Sequence, residues 1–354
     1  MPPDNDDKAI KITLEDLAGV ATSEATTSNA PAGQVAAGAK NYGSVTEAAE
    51  QAEPVSEDHG SILLQGWFYL GLAGLVGAFL GWSIVEPGFV DGGGRHWGNT
   101  WIMPLIVTML CLGFGIAESI VERSVRKALI RAAMSLPLGV ILGFMFSAVA
   151  DLIFAIAVEI CVSAGVQSTR NPAFWIARGI GWMVLGAAGG AVYGIVGQSS
   201  KKALYGILGG VIGAGLGGII FDPIALLTHG GAASRAVGFS LLGLATGVAM
   251  GLVESALKDR WLYVTAGPLA GKQFILYKPQ TTIGSSQQSD IYLFKDPSVL
   301  PKHAVVEING ARVQVRALGE IQVFGRPIQL QVLQSGTSLR IGRYGFRYQE
   351  KHRN

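Results

Sequence analysis

The side chains of this protein that could grip a charged ligand stand in a few polar loops toward its C-terminal end. Ser285 and Ser286 follow Gly284 in "TTIGSSQQSD", Lys302 stands in "LPKH" with Lys295 upstream, and Arg326 follows Gly325. A guanidinium holds phosphate through paired donors, and a lysine holds it as a point charge. What these residues lack is a partner for covalent chemistry. The five histidines, His59, His96, His229, His303 and His352, show none of the paired spacing that zinc needs. Cys111 and Cys161 fall in apolar runs and give neither a disulfide nor a metal reading. No glycine-rich phosphate loop, nucleophile elbow or His-Glu metal helix occurs. The expectation is a binding protein with no catalytic residue, no metal, no cofactor and no nucleic-acid partner.

The elements that must position these loops belong to a chain of unusual composition. Its 354 residues are 49% hydrophobic and only 15% charged, with 49 glycines, and the mean hydropathy is +0.39. That is the composition of a membrane protein. The charge is unevenly placed. Residues 1–58 carry eleven acids against Lys8, Lys11 and Lys40, a net of −8. This acidic segment, poor in aromatics, predicts a disordered tail without the basic start of a signal peptide. Its one apolar patch, "KAIKITLEDLA", suggests at most a short docking motif.

From residue 59 to 257 the sequence predicts a glycine-rich transmembrane domain of six helices, at about 61–83, 100–120, 132–162, 174–197, 203–226 and 236–256. Each run is long enough to cross a hydrocarbon core, which needs about 20 helical residues. Basic residues concentrate in alternate breaks: Arg123, Arg126, Lys127 and Arg131, then Lys201 and Lys202, then Lys258 and Arg260. Positive loops mark the cytoplasmic side, so both termini are expected in the cytoplasm. Glycines recur every fourth residue at Gly186, Gly190 and Gly194, at Gly209, Gly213 and Gly217, and at Gly243, Gly247 and Gly251, with Gly77 and Gly81 in the first span. Such faces let helix backbones approach closely. They are expected to pack spans four to six together, with pore lining and homo-oligomer formation as alternatives.

A weak echo, "SVRKAL" at 124–129 and "SSKKAL" at 199–204, suggests duplicated hairpins, each ending near an aspartate, Asp151 or Asp222. Intramembrane acids are candidates for an ion or proton path. Helical rise places both about 30–36 Å from the basic loops, at the far interface. There "ADLIF" and "FDPIALL" read as helix caps.

After Asp259 the pattern changes to short alternating runs with Gly, Pro and Asn309-Gly310 punctuation, which predicts an all-β sandwich over 258–354. The run "GPLAGKQFILYKPQTTIGSSQQSDIYLFKDPSVLPKHAVVEING", followed by "LGEIQVFGRPI" and "SLRIGRYGFRY", resembles a forkhead-associated (FHA) domain of the SMAD/FHA fold over about 260–350. The resemblance implies an eleven-stranded sandwich that binds phosphothreonine peptides through loops at one end. Gly284, His303 and Gly325 fall on framework positions of that pattern.

The departures fall on the phosphate site. Where the family places an arginine after Ile-Gly, this chain has Ser285; its phosphate-binding serine is Leu300 here, and its peptide-binding asparagine is Phe324. Ser285, Ser286, Lys302 and Arg326 remain as candidate peptide-binding residues. The reading is a bacterial, membrane-anchored scaffold or signalling protein with a weakened phosphate grip. Its FHA-like domain would face a protein or phosphopeptide partner close to the bilayer. The alternative is a transporter or channel with a regulatory FHA-like domain.

Overall fold

A computed structural model describes residues 61–351 apart from Gly93, Arg95, Gln167, Thr169 and His229. The expected acidic tail and its apolar patch lie outside the described residues. Six helices come first: α1 (Gly66–Val85), α2 (Trp97–Val121), α3 (Val125–Ser163), α4 (Pro172–Val196), α5 (Ser200–Leu227) and α6 (Gly231–Leu257). All six are long and apolar enough to cross a membrane. The third is longer than its apolar run predicts. Ser124 caps it by accepting from the Lys127 N–H, so the basic residues 125–131 form its first turns instead of a loop.

The sequence echo is a repeated helix junction. Arg123 (φ 53°) ends α2 and Gln198 (φ 54°) ends α4, both in the left-handed conformation. The next residue then bonds back five positions, Ser124 N–H to Ser119 O at 3.0 Å and Ser199 N–H to Gly194 O at 3.1 Å. This is the double-bonded helix stop that absorbs orphan carbonyls. The same serine in each case then caps the following helix, Ser199 accepting from the Lys202 N–H. Lys127 and Lys202 are therefore equivalent third residues, and both point inward.

The glycine faces are used inside the single chain. A Cβ at Gly190 would lie 2.2 Å from the Gly206 carbonyl, and one at Gly186 would lie 1.9 Å from the Gly210 carbonyl oxygen, so α4 and α5 touch backbone to backbone. Gly209, Gly213 and Gly217 face α6 in the same way; Gly243, Gly247 and Gly251 face α1; Gly77 and Gly81 face α2. Each of these glycine faces therefore meets a neighbouring helix of the same chain.

The cap assignments of the two aspartates need correction. Asp151 lies in the middle of α3, and Asp222 lies inside α5 with Pro223 beside it. Asp222 meets Arg178 of α4 at 2.9 Å, and that guanidinium lies over the rings of Phe154, Trp182 and Phe221.

Two residues, Lys258 and Asp259, separate α6 from the first strand. Nine strands follow: β1 (Arg260–Ala266), β2 (Gln273–Ile275), β3 (Gln280–Gly284), β4 (Ile291–Tyr292), β5 (Ala304–Asn309), β6 (Arg312–Val323), β7 (Arg326–Leu333), β8 (Ser338–Ile341) and β9 (Tyr344–Glu350). The order is β2-β1-β9-β8-β6-β5-β3-β4 with β7 also on β6. Nine described strands replace the eleven that the resemblance implies. β6 serves both layers of the sandwich. Its first half pairs with β5 as far as Ala304↔Ala317, and its last residues pair with β8 at Ile321↔Ile341. The bend between them falls at Leu318–Glu320. Between β5 and β6 the turn is Gly310-Ala311, since Asn309 already pairs with Arg312. Leu262, Ile283, Leu293, Val306, Val315, Ile341, Tyr344 and Tyr348 pack the core without measurable exposure.

Candidate functional site

Three loops form the reading end expected for this fold. Gly284 closes β3, where a Cβ would lie 2.1 Å from the Pro301 carbonyl oxygen, so only glycine lets the β3–β4 and β4–β5 loops meet. Ser285 is spent on that contact. Its N–H donates to Leu300 O at 2.9 Å and its hydroxyl to Val299 O at 2.7 Å. Ser286 is likewise held by the loop, its N–H on Pro301 O and its hydroxyl accepting from the Gln288 N–H.

His303 joins the β4–β5 loop to the β6 bend. Its Nδ1 accepts from the Leu300 N–H at 3.0 Å, so its Nε2 carries the proton and donates to Glu320 O at 2.9 Å. Gly319 leaves room for the ring, since a Cβ there would lie 2.4 Å from it. Asp296 braces the same loop, accepting from the hydroxyl and N–H of Ser298 and from the Arg343 N–H. Those bonds hold its carboxyl below the ordinary carboxylate range.

Lys295, Lys302 and Arg326 are exposed, as are Leu300 and Phe324. Phe324 (φ 47°) and Gly325 (φ 76°) are the two central residues of the β6–β7 hairpin, and both are left-handed. Gly325 suits that turn and Phe324 does not, because a side chain in this region crowds its own backbone. The structure thus brings Ser285 and Ser286 together with Leu300 and places Lys302 on the adjoining turn. Arg326 opens β7 beside Phe324. Leucine and phenylalanine offer no donor to a phosphate.

The other charged assembly lies where the sandwich meets the helices, and the sequence reading missed it. Lys272, in the β1–β2 turn, sits 3.1 Å from Glu122 at the end of α2, and both side chains are 2% exposed. Glu122 also takes Lys127 at 3.1 Å, and the Lys127 ammonium reaches Asp290 O at 3.1 Å. One turn earlier Glu118 takes Lys202 at 2.8 Å and Arg131 at 2.9 Å. Glu254 of α6 accepts from Tyr277 of the sandwich and Tyr193 of α4. Burial and the adjacent Glu254 carboxylate raise the Tyr277 pKa well above its usual value.

The β3–β4 loop completes the seam. Gln287 accepts from the Arg126 N–H at 3.2 Å and the Ser124 hydroxyl at 3.4 Å. With the Gln288 amide turned oxygen-first, both terminal nitrogens of Arg126 donate to it at 3.2 Å. The available sequence signal was the Glu118/Glu122 spacing at the end of a span beside a basic loop, but its partner Lys272 lies 150 residues away.

Residues 281–342 match the FHA domain family. Among curated proteins, an oxoglutarate dehydrogenase inhibitor of Corynebacterium efficiens is 38% identical over 86 residues, 23% of this chain and 60% of that protein. The glycogen accumulation regulator GarA of Mycolicibacterium smegmatis is 35% identical over 86 residues, 23% of this chain and 54% of that protein. The chain therefore spans about 60% or less of the length of these relatives. Among solved structures, the FHA domain of the CT664 protein from Chlamydia trachomatis aligns with 27% identity and a TM-score of 0.25, covering 27% of this chain and 100% of that one. Sequence landmarks, strand order and family match thus fall on one segment: the C-terminal sandwich of this chain is an FHA domain.

Proposed function

We propose that this protein is a membrane-anchored, non-catalytic regulator whose FHA domain binds a protein partner at the inner surface of a bacterial plasma membrane. One observation carries the reading: the FHA domain is fastened to one end of a six-helix bundle by the buried Glu122–Lys272 pair. The same end of the bundle collects the basic turns of the chain, and positive residues favour the cytoplasmic side. Both α1 and the FHA domain meet that end, which agrees with cytoplasmic N- and C-terminal segments. The surrounding bilayer is then the partner of the outward-facing apolar side chains such as Leu80, Ile141 and Leu216.

Peptide binding is assigned to Ser285, Ser286, Lys302 and Arg326, with Gly284, His303 and Gly325 shaping the loops. Because the Ser285 hydroxyl is committed to Val299 O and the remaining family positions are Leu300 and Phe324, recognition is expected to depend little on phosphate. A transporter or channel has weaker support, since Asp222 is neutralised by Arg178.

The test is binding of the full chain in nanodiscs to a phosphothreonine peptide pool and to its unphosphorylated twin. Similar affinity for both pools is expected; more than about tenfold preference for the phosphorylated pool, the worth of one charge-assisted bond, would overturn the weakened grip. Reporter fusions at both termini check the orientation, and a terminus outside the cytoplasm would refute it.

A further inference from the structure

We propose that the cavity between the helices and the FHA domain binds a phosphate-bearing headgroup. The proposal rests on the membrane reading above and concerns a different place from the peptide-reading loops.

The cavity has a volume of about 460 Å³ and lies between the bundle end of α1, α2, α3, α5 and α6 and the β2–β4 face of the sandwich. Its floor is electrically closed. Glu118, Glu122 and Glu254 line it, but each already receives at least two donors, from Lys202 and Arg131, from Lys272 and Lys127, and from Tyr277 and Tyr193.

The rim differs. Arg126 lines the cavity with no carboxylate within ion-pair distance among the described residues, its guanidinium meeting only the Gln288 amide. Lys278 stands on the sandwich side, one-third exposed and paired with Asp290 at 2.8 Å, and Lys127, paired with Glu122 and reaching Asp290 O, also lines the cavity. A guanidinium that meets a neutral amide instead of a carboxylate, beside two ammoniums, suits a phosphate, and basic pockets at the inner ends of membrane helices hold anionic headgroups.

The remaining rim is apolar. Leu64 just precedes α1, Trp67 lies in its first turn, and Ile130 and Met134 lie in the first turns of α3. Charged groups beside these apolar ones match an amphiphile with its phosphate at the domain seam. A lipid or a soluble phosphoester could supply that phosphate. Bound there, it would touch Arg126 of the bundle and Lys278 of the FHA domain, so it would tighten the hold of the bundle on the reading module.

The experiment uses the full chain purified in mild detergent, with native mass spectrometry of added phosphatidylglycerol, phosphatidylcholine and glycerol phosphate. Retention of phosphatidylglycerol over phosphatidylcholine, weakened roughly tenfold by Arg126→Gln, is expected. The control is Arg123→Gln, a neighbouring exposed cation that does not line the cavity, and it should retain the lipid. Displacement by glycerol phosphate alone would support a soluble source for the same chemistry. Equal retention by wild type, R126Q and R123Q, or equal loss in both variants, would overturn the site. Failure of the chain to enter nanodiscs would instead refute the membrane reading, and so separates the two failures.

Discussion

The helical bundle and the sandwich solve packing in opposite ways. The bundle is held by missing side chains, with Gly186, Gly190 and Gly194 against the backbone of α5. The sandwich is held by large ones, with Tyr344, Phe346 and Tyr348 at 1% exposure or less. In water, burying an aromatic ring removes apolar area from solvent and stabilises the fold directly. In the bilayer proposed for the bundle that gain would be absent between helices, because acyl chains are as apolar as leucine, and close backbone contact would take its place. The contrast teaches that the same operation, adding or removing atoms, has opposite effects in the two halves.

The largest expected effect is in the sandwich. Tyr344→Ala removes a fully buried ring and the hydroxyl that donates to Phe294 O at 2.6 Å. A loss of about 3–5 kcal/mol is expected from such truncation, read by denaturant unfolding through tryptophan fluorescence. Little change would break the comparison from its aromatic side.

Next is the seam that joins the halves. Lys272→Ala leaves Glu122 buried with Lys127 as its remaining cation. The cost is expected at the low end of that for breaking a buried pair, about 3 kcal/mol. Limited proteolysis at Lys258–Arg260 should accelerate as the domain comes loose. The double variant Glu122→Leu/Lys272→Met should restore protection; if it does not, the ion pair is not what holds the seam.

In the bundle, Gly190→Leu must force α4 from α5, at roughly 1–3 kcal/mol or more for overpacking. Thermal stability in detergent should fall while the sandwich keeps its spectrum. A smaller and opposite change is expected for Phe324→Gly, which relieves a left-handed phenylalanine and should stabilise the sandwich by about 1 kcal/mol.

The smallest is a pH effect. Burial works against ionisation of Asp290, but the Lys278 ammonium and the N–H and hydroxyl of Thr282 outweigh it and hold its pKa low. A depressed carboxyl contributes stability above its unfolded pKa of about 3.9 and loses it as pH falls through the lower folded value. Unfolding followed from pH 5 downward should show an acid loss that Asp290→Asn lacks.

Much of this molecule was legible before any coordinates. Apolar runs of about 20 residues have few other uses. The Ile283-Gly284, Asp296–Val299 and His303 landmarks mark FHA loops in a fixed order. Four-residue glycine spacing announced close helix contact, and the substitutions at Ser285, Leu300 and Phe324 were visible as residue types.

The tertiary structure decided the partners. Periodicity gives a face but not what covers it, so the glycine faces were as compatible with a second copy as with α1, α2, α5 and α6. Asp222 before proline had the pattern of a cap, and its pairing with Arg178 appears only once α4 and α5 are side by side. Glu122 and Lys272 are 150 residues apart and carry no shared motif. Local sequence determines helices, strands and turns because those depend on near neighbours; charge pairing and backbone contact depend on which elements meet, and only the assembled fold settles that.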